Sequence, residues 1–313
     1  MRRLSMRSGL AILLSVSVAL ETLAQGYDPL PLDPGRGYTM FSIPKAAKPP
    51  VPDGVIAPGE WDGAFVINAM ADQQKQPSWA LLFARWAKWR LMWDDDNVYL
   101  CVESQRLPNE NLAVAYRDPT LGGNTVFDDS VEVHFTPVGR NGVGGKLPWS
   151  AQSILNPVGV GFYSKFTWSV AARTTAWKPE WKTGNRLEKD RWIMELVVPR
   201  TSLDVAQPNK DGEPWSFLLA RNWKRTGWHQ SALPGKYSSF GVPREQSFGY
   251  LTDKAFVQLD DLSGFFKGDV QIALNAGTAG AAAEPVTVKA TVYELPEKAK
   301  PGEAGTVVWE KSD

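Results

Sequence analysis

Tryptophans between the patterned strands are the residues with the clearest potential for chemistry. Trp177, Trp181, Trp223 and Trp228 all fall in predicted loops. Aromatic rings offer a large flat contact area with little conformational entropy to lose, which suits the C–H-rich face of a pyranose ring. Since the chain carries 14 tryptophans, two interpretations stand: these rings form a platform for a sugar, or they fill the ends of a hydrophobic core.

Planar polar groups are the second requirement for sugar recognition, because a few fixed polar groups orient a ligand through its hydroxyls. Arg221 and Asn222 follow a predicted strand and meet this requirement. Other tryptophans lie in or beside patterned strands, and the sequence predicts them to be core residues: Trp61, Trp93, Trp192 and Trp215.

Paired carboxylates raise a different function class, since glycosidases use two opposed carboxyl groups. The candidates are Glu103, Asp128, Asp129 and Glu132. Asp129 and Glu132 point to opposite faces if both lie in one strand, because side chains alternate along it. Asp128 and Asp129 also open that strand, where short carboxylates commonly cap a turn. Direct hydrolysis is therefore a remote alternative.

Two strongly patterned segments identify the elements that must position these residues. Residues 90–104, RLMWDDDNVYLCVES, indicate two half-buried strands joined by an acidic turn. Residues 128–135, DDSVEVHF, alternate in the same way, with Val131, Val133 and Phe135 on one face. Regular strands separated by Gly, Pro and Asx loops predict an all-β fold, an antiparallel and jelly-roll-like β-sandwich over residues 51–253.

The flanking segments have simpler compositions. Residues 1–24 combine a basic start, an apolar run and small residues before Ala24, which predicts a cleaved signal peptide. Residues 25–50 are rich in Pro and Gly and predict an extended lead-in without a core of its own. Residues 254–313 hold further alternating segments. They either pack on the sandwich or begin a partial second β-sandwich module after a linker, and the second interpretation is favoured.

Charge and cysteine content exclude further classes. The chain has 34 Lys and Arg against 34 Asp and Glu, so no net field attracts nucleic acid or an anionic membrane. Cys101 is the only cysteine and is predicted to be a small buried apolar residue. The sequence has no nucleophile-elbow motif and no Gly-rich phosphate cradle followed by Lys.

Six motifs, in this order, resemble family 9 carbohydrate-binding modules and their DOMON-like relatives over residues 51–253: DGVIAPGEWDGA, LMWDDDNVYLCVES, DDSVEVHF, RWIMELVVP, WSFLLARNWKR and SFGYL. The resemblance implies a β-sandwich that binds sugar, is often fused to or secreted beside glycoside hydrolases, and often carries structural calcium. The acidic loops supply oxygen ligands of the kind calcium needs, although without EF-hand spacing.

Haem enters only as a remote alternative, because some sandwiches related to this family bind it. The axial ligands would be His or Met. The chain has only His134 and His229 as histidines. His134 alternates with Val133 and Phe135, and the simpler prediction for it is a histidine on the surface of a strand.

The resemblance also implies where aromatic rings would stack on a sugar. Sugar-binding members place a Trp just before the DSVE strand. Val126 occupies that position here, with Phe127 beside it. The second stacking Trp lies in the last long loop, and in this chain that loop contains Trp228.

Polar contacts are implied in the same way. Sugar-binding members use the Gln that opens the next strand, an Arg two residues later, and an amide from a later strand. Gln152 matches the Gln, and Ile154 stands at the Arg position. The amide position falls near Ala220, with Arg221 and Asn222 adjacent.

We therefore predict a secreted or periplasmic, non-catalytic module that binds polysaccharide or oligosaccharide and localises an associated glycoside hydrolase. No nucleic-acid partner is expected, and no membrane span remains after signal cleavage. The leading alternative is a structural or adhesive sandwich with a degenerate sugar site, since Val126, Ile154 and Ala220 stand at expected contact positions. The predicted sugar contacts are Trp228, Trp177, Trp181, Arg221, Asn222, Phe127 and Gln152.

Overall fold

Strands make up nearly all of the regular structure in the computed structural model. It describes residues 12–18, 40–67, 71–72, 86–107, 110–120, 123–137, 150–166, 173–224, 229–233, 247–263, 271–278, 288–294 and 306–312. Two short 3₁₀ turns, Thr125–Phe127 and Arg200–Leu203, interrupt the strands. Over the described ranges, no helix has the length and apolar character needed to cross a membrane.

The strands are numbered in chain order as β1 Ile12–Val18, β2 Met40–Pro44, β3 Phe65–Ile67, β4 Ala71–Asp72, β5 Ala87–Trp93, β6 Asn97–Gln105, β7 Ser130–Pro137, β8 Ser150–Leu155, β9 Gly161–Phe166, β10 Lys182–Leu187, β11 Arg191–Pro199, β12 Pro214–Trp223, β13 His229–Leu233, β14 Ser247–Thr252, β15 Ala255–Ser263, β16 Gln271–Thr278, β17 Val288–Glu294 and β18 Thr306–Ser312.

Two large sheets build the sandwich. One has five strands in the order β10-β11-β6-β5-β3. The other has eight strands and follows the path β2-β14-β12-β7-β8-β9, with β13 pairing to β12 and β4 to β13. Pairing is antiparallel throughout both sheets except between β14 and β2. The predicted all-β antiparallel sandwich is confirmed.

The core lies between the two sheets and is unusually rich in indole. Trp89, Trp93, Trp192, Trp215 and Trp223 are each 1% exposed or less. Alternation explains this, because every second residue of a strand faces the same side. The predictions that Trp93, Trp192 and Trp215 are core residues are confirmed. Fully burying one large apolar side chain contributes about 1.5–3 kcal/mol, so these rings supply much of the stability.

Strand β2 lies in the predicted lead-in but belongs to the sandwich, which therefore begins before residue 51. Ile43 is fully buried in the main core, and β2 pairs in parallel with β14. The indole Nε1 of Trp93 donates to the Ile43 carbonyl oxygen at 2.9 Å. This bond joins β2 to the five-stranded sheet, and the same indole N–H also contacts the Thr252 carbonyl oxygen at 3.2 Å.

The tail forms two small sheets. Strands β15 and β16 pair as an antiparallel hairpin. Strands β17 and β18 pair with each other, and β1 pairs with β17 although it lies within the predicted signal peptide. Cleavage after Ala24 and a second module in the tail both remain predictions.

Residues 53–64 cover the outer face of the five-stranded sheet and are held there by one buried carboxylate. Glu195 Oε2 accepts the backbone N–H groups of Asp53 at 3.1 Å and Gly54 at 2.8 Å. Glu195 Oε1 accepts the indole N–H of Trp61 at 2.9 Å. Burial raises the pKa of Glu195, while the three donors favour its ionised form. The DGVIAPGEWDGA motif is therefore a docked segment, and Trp61 is buried beneath it.

Close backbone approach explains the glycine on β10 in this region. A Cβ at Gly184 would lie 2.5 Å from both the Gly54 nitrogen and the Pro52 carbonyl carbon. Gly54 itself has φ of 82°, a left-handed conformation that favours glycine. Only small residues allow the segment to lie this close to the strand.

Replacing Glu195 by alanine should release this segment. Two buried N–H donors and one part-buried donor lose their acceptor, so we expect a loss of about 2–3 kcal/mol in the free energy of unfolding. Cys101 is fully buried in the same cluster as Trp61, so its reaction with a thiol reagent under native conditions should accelerate. Trp61→Phe removes one donor and keeps the aromatic bulk, and should cost about 1 kcal/mol. Labelling of Glu195→Ala at the wild-type rate would contradict this role.

Candidate functional site

The outer face of the eight-stranded sheet carries a row of polar side chains. Val131 and Val133 of β7 face the core, so Ser130, Glu132 and His134 face outward. The register places Asn222 opposite Ser130 and Gln152 opposite His134. Residues from three strands therefore converge on one face.

Glu132 is the centre of this polar face. Its Oε1 accepts a hydrogen bond from Gln152 Nε2 at 2.6 Å and lies 2.9 Å from His134 Nε2. Its Oε2 accepts from Asn222 Nδ2 at 3.4 Å. Gln152 Oε1 in turn accepts from the Ser164 hydroxyl at 2.7 Å. The arrangement presents a carboxylate and two planar amides, the polar group types that recognise sugar hydroxyls.

The polar face is buried in this structure. Glu132, His134 and Ser164 are 0% exposed, and Gln152 and Asn222 are 1% exposed. Burial by itself raises the pKa of Glu132, but the bonds from His134, Gln152 and Asn222 outweigh it and the pKa is lowered. An ionised carboxylate in this position depends on those donors.

The position of His134 corrects the expectation of a surface histidine. Its Nε2 is within hydrogen-bonding distance of Glu132, and the ring is fully buried. His229 lies on β13, and its side chain falls outside the described part of the chain.

Phe127 is the one predicted aromatic contact that the structure places at the surface among those it describes. Its ring is 48% exposed and precedes β7 by two residues. The Lys224 ammonium lies 5.2 Å from the ring centroid, a cation–π contact. Lys224 directly follows β12, so Phe127 lies at the end of the sheet where Asn222 is found.

Trp177 and Trp181 pack on the other side of this sheet. Trp181 is 8% exposed, and its ring centroid is 5.7 Å from that of the core residue Phe135. Trp177 is half-buried and contacts Trp181 edge to face at 5.6 Å. Because Phe135 faces the core and His134 the polar face, neither indole joins Gln152 and Asn222.

The remaining predicted contacts lie on the core side of the sheet or outside the described residues. Arg221 is fully buried on the core side, where its guanidinium pairs with Asp129. Trp223 is a core residue that is 1% exposed. Trp228 lies outside the described residues. Of the predicted contacts, the structure brings together Gln152 and Asn222, with Phe127 at the adjacent sheet end.

The paired acids before β7 fix a loop. Asp128 Oδ1 accepts the backbone N–H of Ala115 at 2.7 Å, and Asp129 Oδ2 accepts that of Ala113 at 2.6 Å. Asp129 Oδ1 contacts Arg221 Nη2 at 3.2 Å. This is the turn-anchoring role that their position predicts. The geometry offers no opposed pair with Glu132, which faces the other side of the sheet.

The described acidic turns do not fit calcium. Asp94 Oδ1 accepts the Asp96 backbone N–H at 2.9 Å. Asp95 pairs with Lys45 at 2.7 Å and Asp96 with Arg200 at 3.1 Å. These carboxylates face N–H donors and cations, which compete with a bound cation. Throughout the described ranges, no three His, Cys, Asp or Glu side chains gather closely enough to hold a metal ion.

Comparison with solved structures shows a shared fold. A candidate carbohydrate-binding protein from Bacteroides uniformis matches with a TM-score of 0.51 at 14% identity, covering 69% of this chain and 100% of that one. A family 9 carbohydrate-binding module from Caldicellulosiruptor kristjanssonii matches with a TM-score of 0.47 at 15% identity. In its complex with cellotriose the match covers 68% of this chain and 93% of that one, and in its glucose complex 72% and 98%. No protein-family model and no curated protein matches the sequence.

The lowered pKa of Glu132 predicts an acid-dependent loss of stability. The folded pKa lies below the unfolded value of about 4.3, so the stabilisation is complete above that pH and disappears as pH falls through the folded pKa. Glu132→Gln should cost about 1–3 kcal/mol at neutral pH. The difference in unfolding free energy between wild type and variant should stay constant from neutral pH down to about pH 4.3 and shrink as the pH falls below that value. Denaturant titrations across that range measure it, and a difference that stays constant at the acid end as well would contradict an ionised Glu132.

Proposed function

We propose that this chain is a non-catalytic carbohydrate-binding module whose contact surface is the polar face of the eight-stranded sheet. The observation that carries the proposal is the convergence of the Gln152 and Asn222 amides on Glu132, to which each donates a hydrogen bond. The fold shared with the Bacteroides uniformis protein supports it.

The chemistry of the three groups suits a neutral sugar. An ionised carboxylate accepts hydrogen bonds from two hydroxyls, and an amide both donates and accepts. In the buried polar face, Glu132 accepts hydrogen bonds from the Gln152 and Asn222 amides. A sugar would exchange those internal bonds for bonds of the same type, so the polar groups need not be left unpaired during the exchange. Since the face is buried, contact requires it to open.

Phe127 supplies the apolar part of the proposed site. Its exposed ring lies at the sheet end where Asn222 is located, and Lys224 covers part of it. A ring with this exposure can stack on the C–H face of a pyranose, and the neighbouring polar groups then fix the orientation of its hydroxyls.

A second part of the proposal concerns the location of the module and its associated enzyme. The predicted signal peptide supports export to the periplasm or the exterior, and a binding module there would hold an associated glycoside hydrolase close to its polysaccharide. Strands β15 to β18 lie within residues 254–313 and support the proposal of a second β module there.

Burial of the polar face favours a second candidate function, a structural or adhesive sandwich. With Glu132 0% exposed, the network can serve to specify strand register in place of binding a ligand. This reading agrees with Ile154 and Ala220 at positions where a polar contact would be expected.

Calorimetric titration of the full chain with glucose, cellobiose, cello-oligomers and xylan fragments separates the two candidates. We expect saturable binding that weakens about tenfold in Gln152→Ala and in Asn222→Ala, the effect of one lost hydrogen bond of ordinary strength. Phe127→Ala should weaken it by a similar factor through lost stacking.

Gln105→Ala is the matched control, since it truncates an amide at the end of β6 in the other sheet. It should leave the affinity unchanged. Absence of heat with every sugar, from a folded sample, would favour the structural function.

A further inference from the structure

Arg221 occupies an unusual place for a charged side chain. It is 0% exposed, and its guanidinium carbon lies 4.2 Å from the ring centroid of Trp223 and 5.0 Å from that of Trp192. Both indoles are 1% exposed. Stacking on these rings stabilises the cation and fixes the plane of the guanidinium within the core.

Hydrogen bonds from the guanidinium nitrogens connect Arg221 to both sheets and to a loop. Nε donates to the Ser104 hydroxyl on β6 at 2.9 Å. Nη2 donates to Asp129 Oδ1 at 3.2 Å. Asp129 in turn accepts the backbone N–H groups of Ala113 at 2.6 Å and Lys224 at 3.1 Å. One buried ion pair thus connects β6, β12, the start of β7 and the loop before it.

The remaining nitrogen of Arg221 reaches the backbone beside the polar face. Nη1 donates to the carbonyl oxygen of Asn222 and contacts that of Ser130 at 3.4 Å. These two residues lie opposite each other in the β12–β7 pairing. Their side chains point the other way, where Asn222 Nδ2 donates to the Ser130 hydroxyl at 3.1 Å and to Glu132.

We propose that Arg221 is a positioning residue, which holds the Asn222–Ser130 pair from the core side so that the Asn222 amide reaches Glu132 on the outer face. The inference rests on the proposed function insofar as it concerns affinity for sugar. Its structural part, the placement of the Asn222 amide, does not depend on any ligand. Arg221 acts without touching the sugar itself.

Arg221→Lys is the informative variant. Lysine keeps the positive charge, but its single nitrogen cannot reach Ser104, Asp129 and two carbonyl oxygens at once. We expect the side-chain amide resonances of Asn222 to shift in the ligand-free protein. We also expect affinity for the sugar bound by wild type to fall about tenfold, because one hydrogen bond is misplaced.

Two further variants separate positioning from general stability. Trp61→Phe destabilises the opposite outer surface and should leave both readouts at wild-type values. The double variant Arg221→Met with Asp129→Asn removes both buried charges together, so it avoids an unpaired charge and keeps the test open if Arg221→Lys fails to fold. Because this variant also lacks the guanidinium, the side-chain amide resonances of Asn222 should shift in it as well.

The outcomes distinguish this inference from the proposed function. Unchanged Asn222 resonances and unchanged affinity in a folded variant would overturn the positioning role. If wild type binds none of the sugars, the proposed function fails, and the Asn222 resonances alone still decide whether Arg221 positions that amide.

Discussion

A buried carboxylate must receive hydrogen bonds from the protein around it, and three of the buried carboxylates among the described residues show how this constraint shapes the structure. Glu132, Asp129 and Glu195 are each 1% exposed or less. Leaving such a group unpaired costs far more than a typical hydrogen bond gains. Each carboxylate therefore dictates where a set of N–H donors must lie. The donors to Asp129 and to Glu132 meet on β12, where Arg221 and Asn222 are adjacent.

Two of these three carboxylates attach irregular segments to the regular sheets. Glu195 holds residues 53–64 on the five-stranded sheet through Gly54 and Trp61. Asp129 holds the loop before β7 through Ala113 and Arg221. Glu132 binds side chains of the sheet itself. Glu195 and Asp129 accept backbone N–H groups together with one side-chain donor each, whereas Glu132 accepts hydrogen bonds from side-chain amides and contacts an imidazole.

Alternation in the sequence predicted most of the sandwich, because one face of β6, β7 and β11 is apolar and the period is two. It failed for β10, KTGNRL, and for β2, since neither alternates and both owe their pairing to a neighbouring strand. Gln152 and Asn222 could be predicted from the resemblance. For their partner Glu132 the sequence indicates only a candidate catalytic acid, because it does not show which donors converge on it across three strands.

Arg221 shows why residue type alone misassigns a contact. An arginine after a strand suggests a ligand group, yet alternation places it inward once Asn222 faces outward, and only the tertiary structure supplies Trp192, Trp223 and Asp129 around it. Replacing buried ionic groups by well-packed apolar residues is often neutral or stabilising, so packing stability alone does not account for these charged networks. Two of them lie on either side of the Asn222–Ser130 pair. Their shared effect is to fix the geometry of this pair from both faces of the sheet.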